Sequence, residues 1–226
     1  VSDDQLRMVL DHGYVRLVEA MGSDLSVVRS ARVSYAGEPR GDGRDENLIR
    51  YLWRNGHTSP FESSYVTFEV KAPIFVVRQW HRHRTQSYNE VSARYTELPE
   101  EFYVPDLDQI TTQSADNKQM RTKEQHPEAE MLRTFIAESC EESFDVYHHL
   151  LAEGCPRELA RGVLPVNTYT KMFASMNLLN LFRFLGERLH PHAQYEIQVY
   201  ARAMAELIAP LWPISYDAFE ESLNYG

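Results

Sequence analysis

The stretch SSYVTFEVKAP, residues 63–73, alternates Tyr65, Thr67 and Glu69 with Val66, Phe68 and Val70, the two-residue period of a half-buried strand. Pro73 then opens PIFVVRQW, where proline suits the first turn of a helix because that turn needs no N–H from it. A strand with one apolar face running directly into a helix calls for a sheet with helices packed against it. The rest of the chain agrees. VNTYTKMFASMN reads as a second strand and LLNLFRFLGERL as the helix after it. YVRLVEAMG has strand-like content up to Gly22, and DLSVVRSARVS begins with an Asp suited to capping a short helix. DENLIRYLWRNG is a helix with Gly56 as its stop. Residues 129–153 read as a helix and PRELARGVLP as another, interrupted by Pro165. Ile197, Tyr200, Met204 and Leu207 follow at helical spacing until Pro210 breaks the pattern. Residues 106–128 are polar and aperiodic and read as a mobile loop. With no repeat and no Gly/Ser-rich linker, the expectation is one α+β domain over residues 1–226, its mixed or antiparallel sheet flanked by helices.

Charge narrows the function. Lys plus Arg number 23 against 33 Asp plus Glu, so the molecule repels polyanions, which disfavours general binding to nucleic acid or an anionic membrane. No apolar run approaches the roughly 18 residues that span a bilayer, nothing at the N-terminus looks like a signal peptide, and the expected location is cytoplasmic. Cys140 and Cys155 have neither the number nor the spacing of a disulfide framework or thiolate metal site. A free thiol of pKa about 8.5 is a weak nucleophile without an activator, so catalysis through cysteine is not expected.

Against this acidic background RHRTQSYNEVSARY, residues 82–95, gathers three arginines and a histidine among Ser, Asn, Glu and Tyr, with Arg78 just upstream. In a continuing helix Arg82, His83 and Arg84 would point about 100° apart, whereas a helix terminus or extended turn lets alternate residues face different ligands. Guanidinium forks match phosphate and carboxylate oxygens, and Ser87, Asn89 and Ser92 add short neutral donors. The stretch can hold two anionic ligands side by side; a solvated basic face or an ion-pair network is the plainer reading. No metal is expected at the His-x-His pairs, His81 with His83 and His190 with His192, since Arg82 and Arg84 would repel a cation. A nucleotide phosphohydrolase would need metal carboxylates that are not evident, and an RNA module stacking on Tyr88 and Tyr95 is opposed by net charge.

Arg82-His83-Arg84, seven residues and then Ser92 resembles the signature of flavin-dependent thymidylate synthases. The resemblance takes in SVVRSARVSY, GHTSPFE, VKAPIFVVRQW, SARY, PRELARGVLP, TYTKMF, MNLLNLF and RLHPHAQYEI, in family order and over nearly the whole chain. It implies a homotetramer that binds FAD, builds each site from several subunits, and methylates dUMP with methylenetetrahydrofolate as carbon donor and NADPH as reductant. Arg82, His83 and Arg84 would then contact FAD, with Arg82 also bordering the nucleotide. Gln79, Glu90, Ser92 and Arg94 would line dUMP, Val91 and Ala93 would offer backbone contacts, and Arg161 and Arg188 would be further nucleotide-binding arginines. Glu90 is expected to touch both ligands. Arg188 is the expected catalytic residue, a fixed cation that favours charge developing on the uracil ring. His57, Ser59, Asn177 and His192 fall where the family contacts flavin. The chain departs from the pattern at Leu179, where an arginine is frequent, and at Arg183, one helical turn on; Arg183 is expected to supply the displaced charge to FAD.

Overall fold

The computed structural model describes residues 3–223. In chain order the elements are β1 (Leu6–Val9), β2 (Gly13–Met21), α1 (Asp24–Arg32), α2 (Gly43–Arg54), β3 (Tyr65–Pro73), α3 (Ile74–Trp80), β4 (Ser87–Glu90), β5 (Thr111–Gln113), β6 (Arg121–Gln125), α4 (Ala129–Ala152), α5 (Arg157–Ala160), β7 (Tyr169–Asn177), α6 (Leu178–Arg188), α7 (Tyr195–Ile208) and α8 (Pro213–Glu220). The main sheet has the order β1-β2-β3-β7-β4, and every pairing in it is antiparallel.

At its centre β3 and β7 pair without a shift from Tyr65↔Asn177 to Pro73↔Tyr169. Their alternation puts Val66, Phe68 and Val70 with Met172, Ala174 and Met176 on one buried face. That face is covered by Val76, Val77 and Trp80 of α3, Leu181, Phe184 and Leu185 of α6, and Ile197, Tyr200 and Met204 of α7. Trp80 stacks on Phe184 with centroids 4.6 Å apart, locking α3 to α6. The opposite face keeps Tyr65 (45% exposed) and Phe173 (40% exposed) open to solvent in the single chain. Among the described residues no helix is long and apolar enough to cross a membrane.

Four local expectations change. Pro73 is the last residue of β3 and stands just before α3 rather than in its first turn. Residues 106–128 carry a 3-10 turn and the β5–β6 ribbon in place of a loop, because Thr112 and Thr122 bond across it and Arg121 Nη2 donates to the buried Glu196 at 2.9 Å. PRELARGVLP yields only the short α5 and a 3-10 turn. Asp24 does not cap its own helix. Ser23 holds that position, with its N–H donating to Ser26 Oγ, while the Asp24 carboxylate accepts from Ile214 N (2.9 Å), Ser215 N (3.0 Å) and Ser215 Oγ (2.6 Å) in the first turn of α8. A carboxylate there meets the positive end of the helix dipole and takes up donors that have no intrahelical partner.

Removing a charge-assisted bond of this kind costs about 1.5–3 kcal/mol. Asp24→Ala should therefore lower the unfolding free energy by about that amount, read from the urea midpoint with an unchanged slope. An unaltered midpoint would show that α8 is held by packing alone.

Candidate active site

The helix α3 stops at Trp80, and residues 81–86 turn the chain back into β4. Three groups fix that turn. The Tyr88 hydroxyl lies 2.8 Å from His83 O, 3.2 Å from Trp80 O and 3.1 Å from Gln86 Oε1. Trp80 Nε1 donates to Gln86 Oε1 at 3.1 Å, and Asn180 Nδ2 of α6 donates to Thr85 O at 3.3 Å. Because the helical course ends, consecutive basic residues part company: His83 turns inward, edge-on to Phe184 at 4.8 Å, while Arg82 and Arg84 are exposed.

At the end of α6 the Arg188 Nε–H donates to His83 Nε2 at 2.9 Å. The side chains of His83 and Arg188 are only 10% and 16% exposed, whereas Glu187, 3.9 Å from His83 and 3.8 Å from Arg188, is 67% exposed. Burial, and then the Arg188 charge, lower the His83 pKa below its ordinary value, with Glu187 opposing them. Burial also lowers the Arg188 pKa, although a guanidinium stays protonated throughout the working range.

A cleft of about 270 Å³ opens beside β4 and is lined by Arg78, Glu90, Val91, Ala93, Arg161 and Thr170 among others. Glu90 Oε1 accepts from the buried Thr170 hydroxyl at 2.8 Å, which leaves Oε2 without a partner among the described residues. Val91 N–H is already spent on Lys171 O at 2.9 Å, so the backbone contact expected of Val91 is limited to its carbonyl. Ser92 Oγ accepts from Arg94 N at 3.3 Å, inside its own turn. Arg94 faces Glu158 at 3.7 Å rather than Glu90 and does not line the cleft. Gln79 Oε1 is buried with no hydrogen-bond partner among the described residues. Arg78, Arg82, Arg84 and Arg161 meet no carboxylate among the described residues, as is also true of Arg29, Arg40, Arg54, Arg133, Arg157, Arg183 and Arg202, while Arg7, Arg16, Arg32, Arg44 and Arg121 each meet one and Arg50 meets two.

The remaining flavin-assigned residues stand apart from this turn. His57 and Ser59 are exposed between α2 and β3. Asn177 ends β7 and caps α6, its Oδ1 accepting from Asn180 N at 2.9 Å. Arg183 is exposed and donates to Asn180 Oδ1 at 3.3 Å, and Leu179 is 3% exposed within the core. The two positions thus face core and solvent respectively, so an arginine introduced at 179 would carry its charge into apolar packing. His192 lines a cleft of about 380 Å³ between the β5–β6 ribbon and the start of α7. Among the described residues no hydrogen bond, ion pair or ring contact joins His57, Ser59 or His192 to Arg82, His83 or Arg84. Sequence reasoning passed over Thr170 and did not assign Arg78; the first carries no signal until β7 sets it against Glu90, and the second was visible only as one more base near the string.

Residues 16–214 match the family model described as thymidylate synthase complementing protein. A flavin-dependent thymidylate synthase from Thermotoga neapolitana is 46% identical over 211 residues, covering 93% of this chain and 92% of that protein. One from Thermus thermophilus is 46% identical over 222 residues, covering 96% and 79%. The crystal structure of the UMP/dUMP methylase PolB from Streptomyces cacaoi bound with 5-Br dUMP superposes with a TM-score of 0.87 at 38% identity, covering 95% of this chain and 97% of that one. With the family model matching most of its length, relatives 46% identical over nearly the whole chain and the same fold, this chain belongs to the thymidylate synthase complementing protein family, the flavin-dependent thymidylate synthases.

Proposed function

We propose that the chain converts dUMP to dTMP, taking the carbon from methylenetetrahydrofolate and its reducing power from NADPH through FAD, in a homotetramer whose subunits share each site. The observation that carries this reading is the cleft beside β4, where Arg78 and Arg161 converge without a carboxylate ion pair among the described residues in a chain of net charge −10. Unpaired guanidiniums amid surplus acid fit a load of phosphates, and the buried, unpartnered Gln79 Oε1 fits a ligand N–H.

Arg78 and Arg161, which both line the cleft, hold the phosphate of dUMP. Glu90, tethered at one oxygen by Thr170, offers the other to a sugar hydroxyl or ring N–H. Arg188 sets its positive charge against the uracil edge, favouring negative charge on N3 and its carbonyls and so making C5 more reactive towards an electrophile. Arg82 and Arg84 face the phosphates of FAD, with His57, Ser59, Asn177, Arg183 and His192 as further flavin contacts. The transferred methylene is one reduction level short of methyl, and reduced flavin, when bound, supplies the missing hydride. Scattering of the flavin-assigned residues over one chain, together with the open sheet face bearing Phe173 and Tyr65, supports a site completed by neighbouring subunits. Two free cysteines support a cytoplasmic setting.

Purified protein supplied with FAD, NADPH, methylenetetrahydrofolate and dUMP should form dTMP. Absence of product from a flavin-loaded protein would overturn the reading, and parallel assays with UMP would define the sugar preference. Arg188→Ala should keep its visible flavin absorbance yet lose about 100- to 1,000-fold in turnover; turnover near that of the unaltered protein would remove Arg188 from catalysis.

Burial raises the Cys140 thiol pKa, with Glu141 adding to the shift, so a thiolate is disfavoured there. Cys140→Ser combined with Cys155→Ser should keep substantial activity. Complete loss in a folded, flavin-bound double variant would require a thiol in the reaction.

A further inference from the structure

We propose that His83 is a positioning residue for Arg188: its neutral imidazole accepts the Arg188 Nε–H and leaves both terminal nitrogens of the guanidinium for the nucleotide. The inference rests on the role of Arg188 proposed above and goes beyond it, since the family resemblance marks His83 only as a flavin contact.

Three observations carry it. First, the 2.9 Å contact between Arg188 Nε and His83 Nε2 joins a permanent donor to a nitrogen that must present its lone pair. The imidazole is therefore the neutral, Nδ1–H tautomer. Second, His83 is itself fixed. Its ring stands edge-on to Phe184 at 4.8 Å, and its carbonyl lies 2.8 Å from the Tyr88 hydroxyl. Third, Glu187, the obvious competitor for Arg188, is 67% exposed and stands 3.8 Å away. A solvent-screened carboxylate at that distance constrains a guanidinium weakly. An arginine held at Nε cannot swing about its last side-chain bonds without breaking the contact, so its planar fork is presented in one orientation.

The arrangement makes Arg188 depend on the charge of His83. The charged groups set against the imidazole from α6 are Arg188 and Glu187. From β4, Tyr88 meets only the carbonyl, and the chain neighbours Arg82 and Arg84 are exposed. Burial and the Arg188 charge both favour the neutral ring and together outweigh Glu187. Near neutral pH the contact is therefore intact. As pH falls through the His83 pKa, which lies below its ordinary value, an imidazolium would face a guanidinium and the hydrogen bond would be lost. The proposal accordingly places an acid limb in turnover that belongs to His83.

Two measurements on the flavin-loaded enzyme test it. Histidine C2 hydrogen–deuterium exchange, followed by mass spectrometry, reads the His83 titration directly. In Arg188→Ala the His83 pKa should move upward, because a cation that disfavours protonation has gone; no movement overturns the link. This readout does not involve dUMP, so it stands even if the proposed reaction fails or a His83 variant does not fold. The second measurement is kcat against pH at saturating dUMP and FAD. His83→Leu should lose about 10- to 150-fold in kcat at pH 8, the equivalent of one charge-assisted hydrogen bond. His83→Gln, which can place an oxygen near the Nε2 position but does not titrate, should recover a large part of that loss. Its acid limb should shrink to what the dUMP phosphate, with a second pKa of about 6, contributes on its own. A Gln variant no better than Leu, or one with the acid limb of the unaltered enzyme, overturns the proposal.

Discussion

The nine-residue ladder between β3 and β7 is the constraint on which the rest of the molecule depends. Its two ends launch the two helices that matter. Ile74 follows Pro73 at one end and begins α3, while Leu178 follows Asn177 at the other and begins α6. Both helices fold back over the same buried face, where Trp80 stacks on Phe184. The Arg-His-Arg turn at the end of α3 and Arg188 at the end of α6 are thereby brought together from positions 105 residues apart. A slip of one residue in this ladder would exchange the apolar and polar faces of a strand and dissolve the site along with the core.

Electrostatics divides the arginines into two populations. Arg32 lies 2.5 Å from Asp45 and Arg121 lies 2.9 Å from Glu196, both tying one structural element to another. Arg78, Arg82, Arg84 and Arg161 belong to those that form no such pair among the described residues. An acidic chain could neutralise the two that line the cleft, Arg78 and Arg161, with its own carboxylates, and leaving them open raises the local potential there. That potential attracts phosphate-bearing ligands and is screened by salt, so capture of dUMP and FAD is the part of the proposed cycle most sensitive to ionic strength. Glu90 is the one carboxylate among the described residues that line this cleft, and the Thr170 hydroxyl rather than an arginine holds it.

The alternation of β3 and β7, the periodicity of α4, α6 and α7, and the glycine after α2 were all legible in the sequence, because each is a local pattern with a local cause: side-chain period in strands and helices, and the φ of +70° at Gly56. The Arg-His-Arg turn with Ser92, Arg161 and Arg188 was also legible, though as family motifs rather than as a constellation. β4 was not. Its four residues, Ser-Tyr-Asn-Glu, carry no apolar face and become a strand only because β7 offers unpaired backbone groups beside them. The β5–β6 ribbon escaped for a similar reason, since its cross-strand partners and the tether to Glu196 are invisible to any window along the chain.

Residue types and periodicities alone determined that this protein would be an α+β domain and that positive charge would gather at residues 78–94. Tertiary structure alone decided which charges stay free, which carboxylate caps which helix, and that His83 meets Arg188. Asp24 illustrates the difference. Its acidity and its place at a helix start are local, but its hydrogen-bond partners lie 190 residues away, brought there by α8 packing across the N-terminal helices. Long-range hydrogen bonds of this kind depend on the relative placement of whole elements. That placement is set by the summed burial of the core, a quantity that no single stretch of sequence contains.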